Sequence, residues 1–173
     1  MATNLPYRDK TLPKNDFELI KKLKITNEQF EDFFTQRRFD FNEKIEELIS
    51  RPRRRELSTT NTAKIVEEES LALSYRAQIN EEIAKYLNKL SKAKVELKEA
   101  EHDKTIFYVS GASGFKLSAP QAKIAVESVV AEYDRKCELI ESYIEFLRGA
   151  NSQLETFAFT IKNTIALLQL LNS

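Results

Sequence analysis

The sequence predicts an all-α, oligomeric protein: a long antiparallel helical hairpin, coiled-coil-like, preceded by a small amino-terminal helical unit. Two long segments carry apolar residues at steps that alternate between four and three, which is the two-position seam of a heptad repeat. Glycine accounts for only 3 of 173 residues and charged residues for 31%, a composition typical of long helices. Because so narrow a seam must be covered by another helix, we expect the two segments to pair.

Residues 1–56 are predicted to form an amino-terminal arm and a helical unit that ends in a basic linker. Residues 1–14 contain little apolar material and are interpreted as a mobile arm. Asn15 and Asp16 then supply the cap of a short helix, which we expect to end near Ile25.

A second, phenylalanine-rich helix is predicted from Thr26 onward. Residues 26–29 match a capping box, in which a threonine hydroxyl and a glutamine side chain satisfy amides of the first turn. Pro52 ends this helix, because proline disfavours helical geometry in the residue before it. Helical spacing relates seven members of the segment: Phe30, Phe33, Phe34, Arg37, Phe41, Ile45 and Leu48.

A compact basic turn follows the phenylalanine-rich helix and contains Arg53, Arg54 and Arg55. Two interpretations stay open at this point. The arginines form either a solvated linker or a contact with phosphate groups.

Residues 57–173 are predicted to form the helical hairpin, and its first helix runs from about residue 62 to residue 109. The seam is clean in its middle but has basic residues, Arg76 and Lys104, near its two ends. Its members are Ala72, Arg76, Ile79, Ile83, Tyr86, Leu90, Ala93, Leu97, Ala100, Lys104 and Phe107.

The loop at residues 108–118 forms the tip of the predicted hairpin. It holds two of the three glycines. Ser118 caps the helix that follows and Gln121 completes a second capping box. A short connection between two long heptad helices favours antiparallel pairing.

The last helix carries the longest seam, about six heptads, and is expected to continue through Gly149 because the seam keeps its phase there. Its seam residues are Val126, Val130, Tyr133, Cys137, Ile140, Ile144, Leu147, Asn151, Leu154, Ala158, Ile161, Ile165 and Leu168. The carboxyl-terminal end is apolar on more than one side, which predicts self-association through Phe157, Ile161, Ile165, Leu168 and Leu171.

Little in the sequence favours catalysis, a metal site or a cofactor. His102, the only histidine, lies between two acidic residues and is interpreted as a solvated surface residue, and Cys137 as a small hydrophobic seam residue. The glycine-containing loop lacks the Lys-Ser/Thr ending of a phosphate loop. No apolar run is long enough to span a membrane and no signal peptide is evident, so we expect an intracellular protein that is not an enzyme.

Basic and aromatic residues together give the clearest functional signal. Lysines neutralise phosphates and aromatic rings stack on exposed bases, which is how proteins hold single strands without reading sequence. The candidate DNA-binding residues on the first hairpin helix and its loop are Lys85, Lys89, Lys92, Lys98, Lys104, Tyr108 and Lys116. Because acidic residues are interleaved with these lysines and the net charge is zero, a purely structural coiled coil stays open as an alternative.

Several short motifs resemble the UvsY family of phage recombination mediators. The motifs are Tyr-Leu-Asn-Lys at 86–89, Lys-Thr-Ile-Phe-Tyr-Val-Ser-Gly at 104–111, Tyr-Ile-Glu-Phe-Leu at 143–147 and Phe-Thr-Ile-Lys-Asn at 159–163. The resemblance covers roughly residues 64–171. Acidic residues at positions 99, 101 and 103 depart from the more basic pattern expected there.

The resemblance implies a protein that binds single-stranded DNA, assembles into homo-oligomeric rings and helps to load a RecA-like recombinase onto DNA covered by single-strand-binding protein. On that basis Lys104 contacts DNA while Tyr108 and Gly111 shape the turn, and the location is the host cytoplasm if a phage encodes the protein. Two alternatives remain: a non-enzymatic coiled-coil assembly protein of a virion, or a ring-forming DNA-packaging subunit.

Overall fold

A computed structural model describes residues 14–51, 59–110 and 117–170, except for the side chains of residues 59–62 and 168. These residues form three α-helices, α1 (Lys14–Ser50), α2 (Thr59–Val109) and α3 (Ala119–Leu170), and no strand occurs among them. The prediction of an all-α protein is therefore confirmed. The predicted arm before residue 14, the basic turn at 53–55 and the domain boundary at residues 56 and 57 lie outside the described residues.

The first helix is continuous, so the predicted break between Ile25 and Thr26 is wrong. Instead of capping a new helix, the Thr26 hydroxyl donates to the carbonyl of Lys22 at 3.0 Å, one turn earlier. The buried and half-buried positions of α1 keep heptad spacing through this point, so packing against other helices maintains the helix there. These positions are Asp16, Ile20, Leu23, Asn27, Phe30, Phe34, Arg37 and Phe41.

The last helix begins and continues as the sequence predicts. The amide and hydroxyl of Ser118 both donate to the Gln121 side-chain oxygen at 3.0 Å, which is the glutamine half of the predicted capping box. The helix then runs through Gly149 without a break. A methyl group added at Gly149 would meet no other atom within 4 Å.

Both predicted seams are covered by neighbouring side chains. Every described member of the α2 seam and of the α3 seam is buried or half-buried, including the basic residues Arg76 and Lys104. A second covered row lies beside the first on α3, with the same alternating spacing. It contains Ala122, Ala125, Val129, Glu132, Lys136, Leu139, Tyr143, Phe146 and Ala150. The covered face of α3 is thus two residue rows wide, whereas the sequence pattern predicts one.

Contacts divide the chain into two compact units, and each unit takes one segment from each helix. Unit 1 comprises Met1–Phe33 and Asn88–Glu141, and unit 2 comprises Phe34–Leu87 and Ser142–Ser173. No described helix is long and apolar enough to cross a membrane.

Unit 1 has a core that mixes alanines and polar residues with larger apolar side chains such as Val129 and Ile140. Tyr108 packs with Ala122 and Ala125 in one buried cluster. Asn27 is fully buried, and its amide nitrogen donates to both the carbonyl and the carboxylate of Glu132, at 2.8 and 3.0 Å. Buried polar groups of this kind require partners, and their pairing fixes the register of the helices that carry them.

Unit 2 has an aromatic core in which one ring comes from each helix. The Phe34 and Tyr143 rings stack with centroids 4.4 Å apart, and the Tyr86 ring meets both edge-on. The carboxylate of Glu82 accepts hydrogen bonds from Arg37 and, at 2.5 Å, from the Tyr143 hydroxyl. Aromatic pairs in these geometries stabilise a core by about 0.5–1.5 kcal/mol each beyond their buried area.

Candidate nucleic-acid interface

Four of the predicted DNA-binding lysines lie exposed on α2. Lys85 belongs to unit 2, whereas Lys89, Lys92 and Lys98 belong to unit 1. Among the described residues, no ion pair involves Lys92 or Lys98, so their ammonium groups are available to an anionic ligand. Exposed lysines without carboxylate partners are the groups that neutralise phosphates most readily.

One of these lysines lies beside aromatic rings of α1. The ammonium nitrogen of Lys89 lies 5.9 Å from the centroid of the Phe30 ring, and Phe33, one turn along α1, is 47% exposed. We call Phe30, Phe33, Lys89 and Lys92 the basic–aromatic surface of unit 1. It combines accessible ring area with positive charge, the two features that hold a single strand by stacking and by phosphate contact.

Sequence reasoning found the lysines of this surface but assigned the two phenylalanines to helix packing. Helical spacing of the kind that links Phe34 and Phe41 indicates a buried face, and Phe33 fits the same spacing. Phe34 is buried at 2%, so one position separates a core ring from an exposed one. Burial on a helix changes over a single residue, because neighbours along the chain are about 100° apart around the axis.

Lys104 and Tyr108, which the resemblance places at the tip of the hairpin, are engaged inside unit 1. The Lys104 ammonium donates to Oδ1 of Asp16 and the Tyr108 hydroxyl donates to Oδ2, both at 2.5 Å. Tyr108 is only 2% exposed. Burial, followed by the hydrogen bond to Asp16, raises the pKa of the Tyr108 hydroxyl well above its usual range. In this arrangement the Tyr108 ring offers no face to a base.

Asp16 therefore does not act as the predicted helix cap. The residue is 4% exposed, and its side chain spans from α1 to two residues of α2. The sequence around Asp16 does not predict these contacts, because Lys104 lies 88 residues away along the chain.

The other predicted site residues are distributed as follows. Arg53, Arg54, Arg55 and Lys116 lie outside the described residues, as does Leu171, and the side chain of Leu168 is not described. The remaining three residues predicted for self-association lie on α3 in unit 2, with Phe157 and Ile161 buried within the chain and Ile165 half-buried. Exposed apolar side chains at this end of α3 are instead Phe159, Leu167 and Leu170.

Three ion pairs engage further basic side chains of unit 1. Lys94 pairs with Glu141 at 2.6 Å, and Lys136 with Glu96 at 2.6 Å. Arg135 pairs with Glu31 at 2.8 Å. Exposed ion pairs contribute little stability individually, but each removes a basic side chain from the set available to a ligand.

Cys137 and His102 show no arrangement for chemistry. Cys137 is buried at 4% exposure, and desolvation raises the pKa of its thiol, which favours the unreactive protonated form. His102 is exposed. Across the described parts of the chain, no three His, Cys, Asp or Glu side chains are grouped so that they could hold a metal ion.

Comparison with protein-family models, with curated proteins and with solved structures finds no match for this chain.

Proposed function

We propose that this protein is a non-enzymatic, single-stranded DNA-binding protein that acts as a recombination mediator, helping a RecA-like recombinase to replace single-strand-binding protein on DNA. The observation that carries the proposal is the basic–aromatic surface of unit 1, where Lys89 lies 5.9 Å from the Phe30 ring and Phe33 is 47% exposed. The resemblance of residues 64–171 to the UvsY family supplies the mediator role.

We also propose that α2 and α3 form the antiparallel hairpin. Within unit 1, Lys94 pairs with Glu141 while Tyr108, later on α2, packs with Ala122, earlier on α3. Within unit 2, Arg76 donates to Asn151 at 3.2 Å. In unit 1 residue numbers rise along α2 as they fall along α3, which supports opposite helix directions.

We further propose that the protein forms a homo-oligomer through an exposed stripe of α3. The exposed residues Phe159, Asn163, Ala166 and Leu170 follow heptad steps on α3, and Lys162 is the only charged residue from 156 to 170. An uncharged stripe of this kind can face a second copy without repulsion, and an asparagine within it can specify register. Oligomers repeat each weak DNA contact, so affinity rises by avidity.

The proposal is tested by removing the two lysines of the surface. We expect Lys89→Gln/Lys92→Gln to bind labelled oligothymidylate roughly tenfold more weakly than the native chain, because two charge-assisted phosphate contacts are lost. The slope of log affinity against log salt should become shallower by about 1.4. The matched control is Lys44→Gln/Lys64→Gln, which removes two exposed lysines of unit 2.

Phe33→Ala separates stacking from charge in the same fluorescence-anisotropy assay. Loss of one base–ring stack is worth about 1–3 kcal/mol, so affinity should fall by a factor of about 5 or more while the salt slope stays unchanged. Phe39→Ala, which removes a ring that is 62% exposed in unit 2, is the control. Equal binding by all four variants and the native chain would exclude the surface as the DNA site.

A structural assembly protein is the second candidate, and the exposed apolar end of α3 favours it. Such a protein would self-associate through Phe159, Leu167 and Leu170 but would not bind nucleic acid at any salt concentration. The titration of the native chain with oligothymidylate distinguishes the two candidates.

A further inference from the structure

The most unusual polar group in unit 1 is the carboxylate of Asp16. The residue is 4% exposed, and each of its side-chain oxygens accepts one hydrogen bond from α2, Oδ1 from Lys104 and Oδ2 from Tyr108. The Lys104 side chain retains 22% exposure, so this side chain lies at the edge of the buried cluster.

The two donors form a binding arrangement for an oxyanion. A phosphodiester presents two unesterified oxygens that share a negative charge, and ammonium and hydroxyl groups are common donors to them. The Asp16 carboxylate presents the same charge and two similar acceptors. The two donors that suit a phosphate, Lys104 and Tyr108, therefore already bind a carboxylate of the protein itself, that of Asp16.

Apart from the two hydrogen bonds to Asp16, little holds the helix turn that carries this residue. Asp16 lies two residues after the start of α1 at Lys14, where the first amides have no partners within the helix. Phe17 is 46% exposed and Glu18 is exposed, so this turn buries little apolar area. Helix ends with few buried contacts open at a small free-energy cost while the rest of the fold persists.

We propose that Asp16 is an internal competitor for a nucleic-acid phosphate at Lys104 and Tyr108, so that the first turns of α1 limit the binding of single-stranded DNA to unit 1. This inference rests on the proposed function. Opening of the turn frees a lysine and a tyrosine hydroxyl, and bound phosphate in turn holds the turn open. The contact acts as an autoinhibitory latch.

The latch is tested with Asp16→Asn, which removes the charge and keeps the side-chain shape. We expect this variant to bind labelled oligothymidylate several-fold more tightly than the native chain, with a salt slope steeper by about 0.7 for one additional phosphate contact. Glu18→Gln makes the same charge change on an exposed residue two positions further along α1. Its affinity for the oligonucleotide should rise much less. Adding Lys104→Gln to Asp16→Asn should remove the extra affinity and the extra slope.

A second measurement uses the native chain and does not depend on how well the variant folds. Addition of oligothymidylate should increase amide hydrogen exchange across residues 18–24, the first amides of α1 with hydrogen-bond partners within the helix, because bound phosphate displaces Asp16. Residues 34–48 of the same helix should keep their protection. Retained protection at 18–24 in a chain saturated with oligonucleotide would overturn the latch.

The outcomes separate the latch from the proposed function. If the native chain binds through Lys89 and Lys92 but Asp16→Asn gains no more than Glu18→Gln, only the latch is overturned. Binding by Asp16→Asn together with weak or absent binding by the native chain supports the latch. Absence of binding by both overturns the latch and the proposed function together.

Discussion

At the scale of single residues, the described parts of both units contain the same polar motif. In unit 1 a carboxylate, Asp16, is bound by a lysine and a tyrosine hydroxyl, and in unit 2 Glu82 is bound by Arg37 and the Tyr143 hydroxyl. Each motif places a charge inside a helical interface and surrounds it with donors. A buried charge is tolerated only when it is paired and hydrogen-bonded in this way.

These motifs lie beyond what the sequence predicts. The heptad pattern marks Lys104 and Arg76 as polar interruptions, but it does not identify the partners that make them tolerable. Arg76 meets Asn151 and Glu155, which are 75 residues or more away along the chain. Pairing over such separations depends on which helices become neighbours, and no local pattern encodes that.

The tyrosine hydroxyls predict how stability responds to alkaline pH. Desolvation and the hydrogen bond to Glu82 raise the pKa of Tyr143 above its usual value of about 10. A raised tyrosine pKa means that the fold favours the neutral hydroxyl. Its contribution to stability is therefore complete below about pH 10 and is lost as pH rises through the elevated pKa.

Tyr143→Phe tests this contribution, because it removes the hydroxyl and leaves the buried ring. At neutral pH we expect the free energy of unfolding to fall by about 2 kcal/mol, the typical value of a hydrogen bond to a charged group. Above about pH 10 the variant should lose less stability than Tyr75→Phe, whose half-buried tyrosine makes no hydrogen bond in the described structure. Parallel denaturant titrations would measure both, and identical pH profiles for the two variants would contradict the assignment.

At the scale of elements, the sequence predicts the helices better than their interfaces. The long apolar stripes of α2 and α3 predict their extent and their covered seams, because one dominant period runs through each. The second covered row of α3 is harder to recognise, since Glu132 and Lys136 interrupt it. Each of these residues is paired across an interface, Glu132 with Asn27 and Lys136 with Glu96, so polar positions belong to the packed face.

In α1 the sequence predicts a helix end that the structure does not contain. Residues 26–29 match a local capping pattern, yet the helix continues because the covered positions on both sides keep the same phase. Packing along a whole helix outweighs a cap worth about 1 kcal/mol.

The exposed stripe of α3 gives the element-scale prediction. We expect Phe159→Glu/Leu170→Glu to dissociate the proposed homo-oligomer, because carboxylates would replace two exposed apolar side chains of the stripe and repel each other across the interface. Val66→Glu/Leu73→Glu, which alters two half-exposed apolar residues of α2 in the same unit, is the matched control and should leave assembly unchanged. Sedimentation equilibrium reports the mass of each. A monomeric native chain, or a variant of unchanged mass, would contradict this interface.

At the scale of the whole molecule, the two units differ in what holds them together. Unit 2 contains the stacked aromatic core of Phe34, Tyr86 and Tyr143. Unit 1 buries fewer large apolar side chains, chiefly Val129 and Ile140, beside alanines, a buried asparagine and the Asp16 cluster. Because apolar burial is the main stabilising term, we expect unit 1 to open at a lower free energy than unit 2. The basic–aromatic surface lies on the unit that we expect to open more readily.

The chain carries as many acidic as basic residues, so a general attraction to nucleic acid does not arise from its net charge of zero. Binding must come from a local surface, and stacking on exposed rings is available only to unpaired bases. We therefore predict a preference for single strands, whereas a DNA-packaging subunit would prefer duplex.

The most direct test is a pair of salt titrations of the native chain with a single-stranded oligonucleotide and with a duplex of the same length. We predict tighter binding to the single strand by about tenfold or more, as expected for one or two stacked bases. Equal or tighter binding to the duplex, or no binding to the single strand at low salt, would contradict the account.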